Sequence, residues 1–306
     1  MVDRPSSLVS VIIPCYNHAH FLGEAIDSAL NQTYFPVEVI IVDDGSTDEI
    51  AEIIVTRPSI RYLRQDNMGL AHARNTGLSH STGDYVLFLD ADDRLLPNAV
   101  TTGVHALKAR KDCAFVFGPF VAIGTRNGLS DLPLDQNYDY AGLLKCNFIG
   151  NPGSVLYNKW VFSVVGNFDE SNSPAADYDL YLRVARQFPI FCHHHAVVEY
   201  RKHGDNMSND ARVMLKATLT ALNNQRRHAS QFPNLREAYQ AGRRNLKNSY
   251  GEPLIMKTYE NLKQGEYLEA AQNAYALMRF FPERLFIFAT RKIRRFTSVL
   301  KSVISL

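Results

Sequence analysis

At 306 residues, with 46% hydrophobic and 21% charged side chains, the chain has the composition of a folded globular protein with room for one full α/β domain and something smaller. Its formal net charge of +2 hides a division: residues 1–210 hold 16 Lys and Arg against 25 Asp and Glu, while residues 211–306 hold 17 against 6, so an acidic body suited to a cation-assisted site precedes a basic region suited to an anionic surface. Cys15, Cys113, Cys146 and Cys192 lack the spacing of a disulfide framework or a zinc knuckle, which points to a reducing compartment, and no run approaches the roughly 18 apolar residues of a membrane span.

Val9 to Ile13 reads as a first strand, too short for a signal peptide, with Pro14 expected to stop it because proline cannot donate to a ladder. Phe21, Leu22, Ala25, Ile26, Ala29 and Leu30 recur at helical spacing, and Val37 to Val42 is the next strand, ending in acid at Asp43-Asp44-Gly45-Ser46. A helix over Ala51 to Val55, a short strand over Ile60 to Leu63 and a helix over Leu70 to Leu78 lead to the apolar run Tyr85 to Leu89. That strand ends at three carboxylates, Asp90, Asp92 and Asp93. Such neighbours repel unless a cation sits among them, and Mg²⁺ or Mn²⁺ carrying a phosphorylated ligand meets that need with one or two carboxylates. Strands alternating with helices imply an α/β fold with a mostly parallel sheet covered by helices. Ligands of such sheets bind beyond the carboxyl ends of the strands, which places Tyr16, Asp44, Asp90 and Asp92 along one crevice. The dinucleotide fingerprint GxGxxG is absent, which argues against a dehydrogenase. Taken singly, Asp-Gly-Ser is also a common turn and Asp90 to Asp93 also reads as a solvated loop or helix cap.

Beyond the acidic strand end, the loop-like segment from Gly118 to Gly153 is expected to shape an acceptor pocket. Asp177 opens a helix marked by Leu180, Tyr181 and Val184, where an acid also suits the unpaired N–H groups of a first turn. The run His193-His194-His195 follows what reads as a strand, so its side chains alternate and cannot all reach one ion. Helices are expected over Val213 to Phe232 and Leu235 to Leu246, then a helical hairpin turning at Gly265. From Glu283 to Leu306 an apolar stripe with six Lys and Arg has the composition of an interfacial amphipathic helix, although burial against the domain or a partner fits the same pattern.

The stretches VSVIIPCYNHAHFLGEAIDSALNQTY, VEVIIVDDGSTD and NMGLAHARNTGLSHSTGDYVLFLDADD resemble, in order, the signatures of the family 2 inverting glycosyltransferases, with the type A glycosyltransferase fold. GNFDE (Gly166 to Glu170), ADYDLYLR (Ala176 to Arg183) and YRKHGDNMS (Tyr200 to Ser208) extend the resemblance over the first two-thirds of the chain. It implies a catalytic domain over residues 1–210, and the helices read above make 211–306 a helical C-terminal region ending in the basic amphipathic stretch. It also implies that the loop from Pro14 through Tyr16 and Asn17 holds the nucleotide base, with Tyr16 stacking on uracil or thymine and Asp44 accepting its ring N–H. Arg74 would contact the nucleotide. Asp90-Ala91-Asp92 matches the DxD motif, its first Asp near the ribose and its last, Asp92, on a Mn²⁺ or Mg²⁺ that carries the diphosphate, with His203 beside the metal and Arg201 as the alternative phosphate contact. Asp177 occupies the position of the catalytic base, whereas the Glu usual before it is Ala176 here. The implied activity is transfer of a sugar from a nucleoside diphosphate donor, UDP by resemblance, to a glycan or lipid-linked glycan in cell-surface polysaccharide biosynthesis. The expected location is cytoplasmic, at the inner face of an anionic membrane, with no nucleic-acid partner. A non-catalytic, nucleotide-sugar-binding membrane scaffold is the alternative, and Ala176 is its support.

Overall fold

The first strand, β1 (Val9–Cys15), is buried along its whole length because it runs through the middle of the sheet. The computed structural model describes residues 7–124, 128–130, 132, 137–204 and 206–280. After β1 come α1 (Ala19–Leu30), β2 (Val37–Asp43), α2 (Ile50–Val55), β3 (Arg61–Arg64), α3 (Leu70–His80) and β4 (Tyr85–Phe88). Then β5 (Arg94–Leu95), α4 (Ala99–Ala109), β6 (Phe115–Phe117), β7 (Phe120–Gly124), β8 (Gly128–Leu129) and α5 (Tyr140–Lys145) lead to β9 (Val155–Asn158), α6 (Val161–Val165), α7 (Ala176–Ala185), β10 (Ile190–Cys192) and β11 (Val198–Lys202). The seven-stranded sheet has the order β10-β6-β9-β4-β1-β2-β3, and only the two pairings of β9 are antiparallel. A four-stranded sheet, β5-β11-β7-β8, lies beside it.

Because successive residues of a strand face opposite sides, β1 feeds two cores. Val9, Val11, Ile13 and Cys15 pack with α1 and α4, while Ile12 faces α3 and the aromatic side chains of α7. Pro14 does not stop β1, contrary to the expectation, and pairs in register with Val42. The reason lies in the neighbouring edge. β4 pairs with β1 only as far as Ile12, so the missing N–H of Pro14 falls where no strand needs it. The close approach of α3 to this sheet requires Gly77, since a Cβ there would stand 2.3 Å from Ile12 Cγ2 and 3.2 Å from Val42 Cγ2. Gly77→Ala is therefore expected to lower stability by about 1–3 kcal/mol despite alanine's better helix propensity. An unchanged urea midpoint would contradict this packing.

The remaining helices are α8 (Ala211–Asn224), α9 (Arg226–Ala229), α10 (Pro233–Gln264) and α11 (Tyr267–Phe280). Asp210 caps α8 by accepting from the N–H groups of Arg212 and Val213 at 3.0 Å. Two expectations change here. The helix anticipated over Val213 to Phe232 is divided at buried Gln225, whose side chain accepts a hydrogen bond from Tyr140 at 3.1 Å. The helix anticipated to end at Leu246 continues to Gln264 through Pro253, because Leu246, Tyr250, Leu254 and Ile255 pack with Leu215, Leu219 and Leu277 into one cluster. The hairpin turns where expected, at Gly265, whose φ of 78° is the left-handed conformation of a helix terminus. No helix among the described residues is long and apolar enough to cross a membrane. The amphipathic stripe over 283–306 lies outside the described residues.

Candidate active site

Four of the strands named above deliver polar groups to one end of the sheets. At the end of β1, the Tyr16 ring is 48% exposed, free to stack on a planar ligand, and Asn17 turns the chain with φ 54°. Asn17 also ties this loop to the end of β2, accepting from Thr47 N at 2.8 Å and donating its own N–H to Ser46 Oγ at 3.0 Å. Asp43 is fully buried and accepts from Ser46 N, Tyr62 and Arg64, so it holds the turn together. Asp44 is also buried. Its Oδ1 accepts from Gln65 Nε2 at 2.7 Å and Met68 N at 3.0 Å, and its Oδ2 from Gly69 N at 2.8 Å. With two acceptor directions on each oxygen, only Oδ2 keeps one open.

After β4, the three aspartates divide their work. Asp90 accepts a 2.7 Å ion pair from Arg74 Nη2, and its side chain remains 26% exposed towards the crevice. Burial pushes its carboxyl above the usual range, and Arg74 opposes that shift. Asp93 turns inward, accepting from Asn151 Nδ2 at 2.7 Å and Arg201 N at 2.8 Å. Asp92 lies between them. Its Oδ2 is 2.9 Å from His203 Nε2 and 3.3 Å from Asn206 Nδ2, while its carbonyl accepts from Arg201 Nε at 2.9 Å.

Asp92 Oδ2 and His203 Nε2 share a hydrogen bond, and a divalent cation taking the place of that proton would find two donors already at a suitable spacing. Two donors in adjacent positions about 2.1 Å from an octahedral ion stand about 3.0 Å apart, close to the observed 2.9 Å. No group of three or more His, Cys, Asp or Glu poised for a metal exists among the described residues, so a cation here would need the oxygens of a ligand and water to complete its shell. The histidine run beyond β10 offers no competing site. His193 and His195 stack at 6.1 Å, whereas His194 turns to Tyr138, and burial lowers His193 to about 4.

Asp177 stands in the first turn of α7, half-buried, with Oδ1 accepting from Tyr178 N at 2.7 Å. Burial raises its carboxyl above the usual range, against the pull of Arg74. Arg74 therefore lies within electrostatic reach of both Asp177 and Asp90.

The profile described as Glycosyl transferase family 2 matches residues 10–151. An uncharacterized glycosyltransferase of Rickettsia prowazekii is 33% identical over 214 residues, 67% of this chain and 67% of that one. The chain belongs to glycosyltransferase family 2. The chondroitin synthase of Escherichia coli is 31% identical over 210 residues, which span 66% of this chain and only 30% of that longer enzyme. Among solved structures, S. aureus TarS 1-349 in complex with UDP-GlcNAc is similar with a TM-score of 0.54, at 20% identity, covering 70% of this chain and 65% of that one. The mannosyltransferase PcManGT of Pyrobaculum calidifontis, in complex with GDP-Man and Mn²⁺, is similar with a TM-score of 0.55, at 19% identity, covering 88% and 84%. At these identities the two structures establish the glycosyltransferase fold.

Measured against what the family resemblance implies, the structure brings Tyr16, Asp90, Asp92, His203 and Asp177 to the strand-end face and departs in several details. Pro14 and Ala91 are buried, so either could offer a ligand only its backbone. Arg74, expected on the nucleotide, is 3% exposed, with Nη2 paired to Asp90 and Nε buried without a hydrogen-bond partner among the described residues, so it lies beneath that carboxylate and not at the surface of the crevice. Arg201, the alternative phosphate contact, is committed to Asp92, to Glu24 at 2.8 Å and to the face of Phe21 at 4.8 Å. Ala176 is fully buried, so an acid there would be desolvated without a partner in view. Reading the sequence missed Asn151 and Asn206. The second had a signal, since an Asn three residues after His203 can close a turn on it, as Asn206 Oδ1 does by accepting from His203 N at 2.6 Å. Asp90→Ala would leave a buried, unpaired guanidinium. A loss of about 3 kcal/mol in urea denaturation is expected, at the low end for a broken buried pair because Asp90 itself is partly exposed. A loss within 0.5 kcal/mol, or roughly the scatter of a surface substitution, would mean Arg74 finds another partner.

Proposed function

We propose that this family 2 glycosyltransferase is metal-dependent and inverting, moving a sugar from a UDP-linked donor to a hydroxyl of a glycan or lipid-linked glycan in surface polysaccharide biosynthesis. Its proposed place is the inner face of an anionic membrane. The observation that carries the reading is the Asp92–His203 pair, 2.9 Å apart at the strand-end face, with Asp177 sharing the electrostatic neighbourhood of Asp90 and Arg74. The complexes of TarS with UDP-GlcNAc and of PcManGT with GDP-Man and Mn²⁺ support a nucleotide-sugar donor and a cation, and the chondroitin synthase supports a glycan product.

In this reading the exposed Tyr16 ring stacks on the base and the open acceptor direction of Asp44 Oδ2 takes its ring N–H. Asp92 and His203 would hold Mn²⁺ or Mg²⁺, which when bound neutralises charge on the departing diphosphate. Asp90, fixed by Arg74, approaches the ribose. Asp177 takes the proton of the acceptor hydroxyl as that oxygen bonds to the anomeric carbon and the carbon–diphosphate oxygen bond breaks. A single displacement of this kind inverts the anomeric configuration.

Calorimetry of the full chain with UDP, dTDP and GDP, with and without Mn²⁺, tests the donor class. Metal-dependent binding of one nucleotide, UDP by preference, is expected. A folded protein that binds none of them would overturn the reading. Proton NMR of the product made from the matching sugar nucleotide then reports the anomer, and retention of configuration would remove the single-displacement role of Asp177.

A further inference from the structure

Next to the metal pair stands a histidine that none of these roles uses. His18 precedes α1, two residues beyond Tyr16, and its half-buried ring lies 5.9 Å from the His203 ring and 6.1 Å from Phe21. It is within electrostatic reach of Asp90. Its own backbone is engaged, the carbonyl accepting from Phe21 N and Leu22 N at 3.0 Å, but neither ring nitrogen has a hydrogen-bond partner among the described residues. Charges of both signs stand on its neighbours: Asp90 interacts with it, Asp92 bonds His203, Arg201 lies over the Phe21 ring, and Asp48 Oδ2 accepts from Ala19 N at 2.8 Å. Asp48 already occupies that N–H of α1, so the helix end is partly neutralised, and the imidazole adds a side-chain donor at this point.

The path of the ligand gives this ring a use. A nucleotide stacked on Tyr16 and reaching the Asp92–His203 pair must lay its diphosphate between them, and His18 sits at the metal end of that path, against His203. We propose that His18 is a further donor-binding residue, its imidazole N–H donating to the β-phosphate of the nucleoside diphosphate. The inference rests on the donor reading above and adds a residue to it. A hydrogen bond to a charged phosphate oxygen is worth about a tenfold change in affinity.

The test compares UDP with UMP, which lacks the β-phosphate, in Mn²⁺ by calorimetry on wild type and His18→Phe, which keeps a ring against His203 and Phe21 and has no N–H to donate, with GDP and GMP in parallel. Affinity of the variant for the diphosphate is expected to fall about 10-fold while that for the monophosphate stays within about twofold. Equal losses for both ligands, or no loss for either, would overturn the inference while leaving the donor reading intact. Binding of neither nucleotide series by the wild type would overturn both. If His18→Phe does not fold, wild-type protein gives the same decision through diethyl pyrocarbonate labelling mapped by mass spectrometry. His18 should be protected by UDP with Mn²⁺ and not by UMP with Mn²⁺, and equal labelling in the two would overturn the assignment.

Discussion

Asp177→Asn is expected to lower sugar transfer by about 10³-fold while leaving metal-dependent UDP binding within about twofold of wild type. Asn keeps the shape of the side chain and an oxygen to accept from Tyr178 N, so the first turn of α7 retains its local bond. What disappears is the capacity to take a proton. Because Asp177 is half-buried and its carboxyl is raised by desolvation, with Arg74 only partly countering, the proposed base would be stronger than a solvated aspartate yet must lose its proton before it can act. The sign of the pH dependence follows. Transfer should fall as pH drops through the raised pKa of Asp177, so the acidic limb of the rate profile lies above the ordinary carboxylate range, and Asp177→Asn should lack that limb in its residual activity. Full transfer by the Asn variant would move the base elsewhere. Retained cellular function without measurable transfer by the wild type would favour the scaffold alternative.

Much of this site could be read in the sequence because it is written at strand ends. The apolar runs of β1, β2 and β4 are short, rich in β-branched or aromatic residues and each followed at once by a polar turn, so topology alone brings Tyr16, Asp44, Asp90 and Asp92 to one face. What could not be read is where a long polar side chain goes once it arrives. Arg74 has the same sequence appearance whether it reaches outward or, as observed, is buried under the crevice on Asp90; the Phe168 face 5.5 Å away and the three-dimensional neighbourhood of α3 decide that. Asp44 likewise reads as a ligand, and only the folded loop shows three internal donors already on it. The C-terminal helices show the limit of local rules. Pro253 signals a break, but a row of apolar contacts to α8 and α11 outweighs one lost backbone hydrogen bond. At Pro14 the expected stop failed for a different reason, since the edge it faces has no partner strand beyond Ile12.

Asp92→Ala is the second large effect, with UDP affinity in Mn²⁺ expected to fall at least about 100-fold, to the weak level that wild type shows without metal. Among the described residues the proposed cation would have Asp92 and His203 as its protein donors, so removing the carboxylate would delete one of the two and its compensating charge. The loop itself should survive. Arg201 is held by the carbonyl of Asp92 and not by its side chain, and by Asp93 Oδ1 through its own N–H. A thermal midpoint close to wild type together with loss of metal-dependent binding is therefore the expected pair of results. Asp93→Ala supplies the contrast, since that carboxylate faces inward and its loss strands the donors of Arg201 N and Asn151 Nδ2. Its cost, about 1–3 kcal/mol for each buried donor left unpaired, should register in urea denaturation, and nucleotide binding should fall only as the loop loosens. If Asp92→Ala instead destabilised the fold as much as Asp93→Ala and kept its response to Mn²⁺, Asp92 would be a structural residue and the cation would have to bind elsewhere.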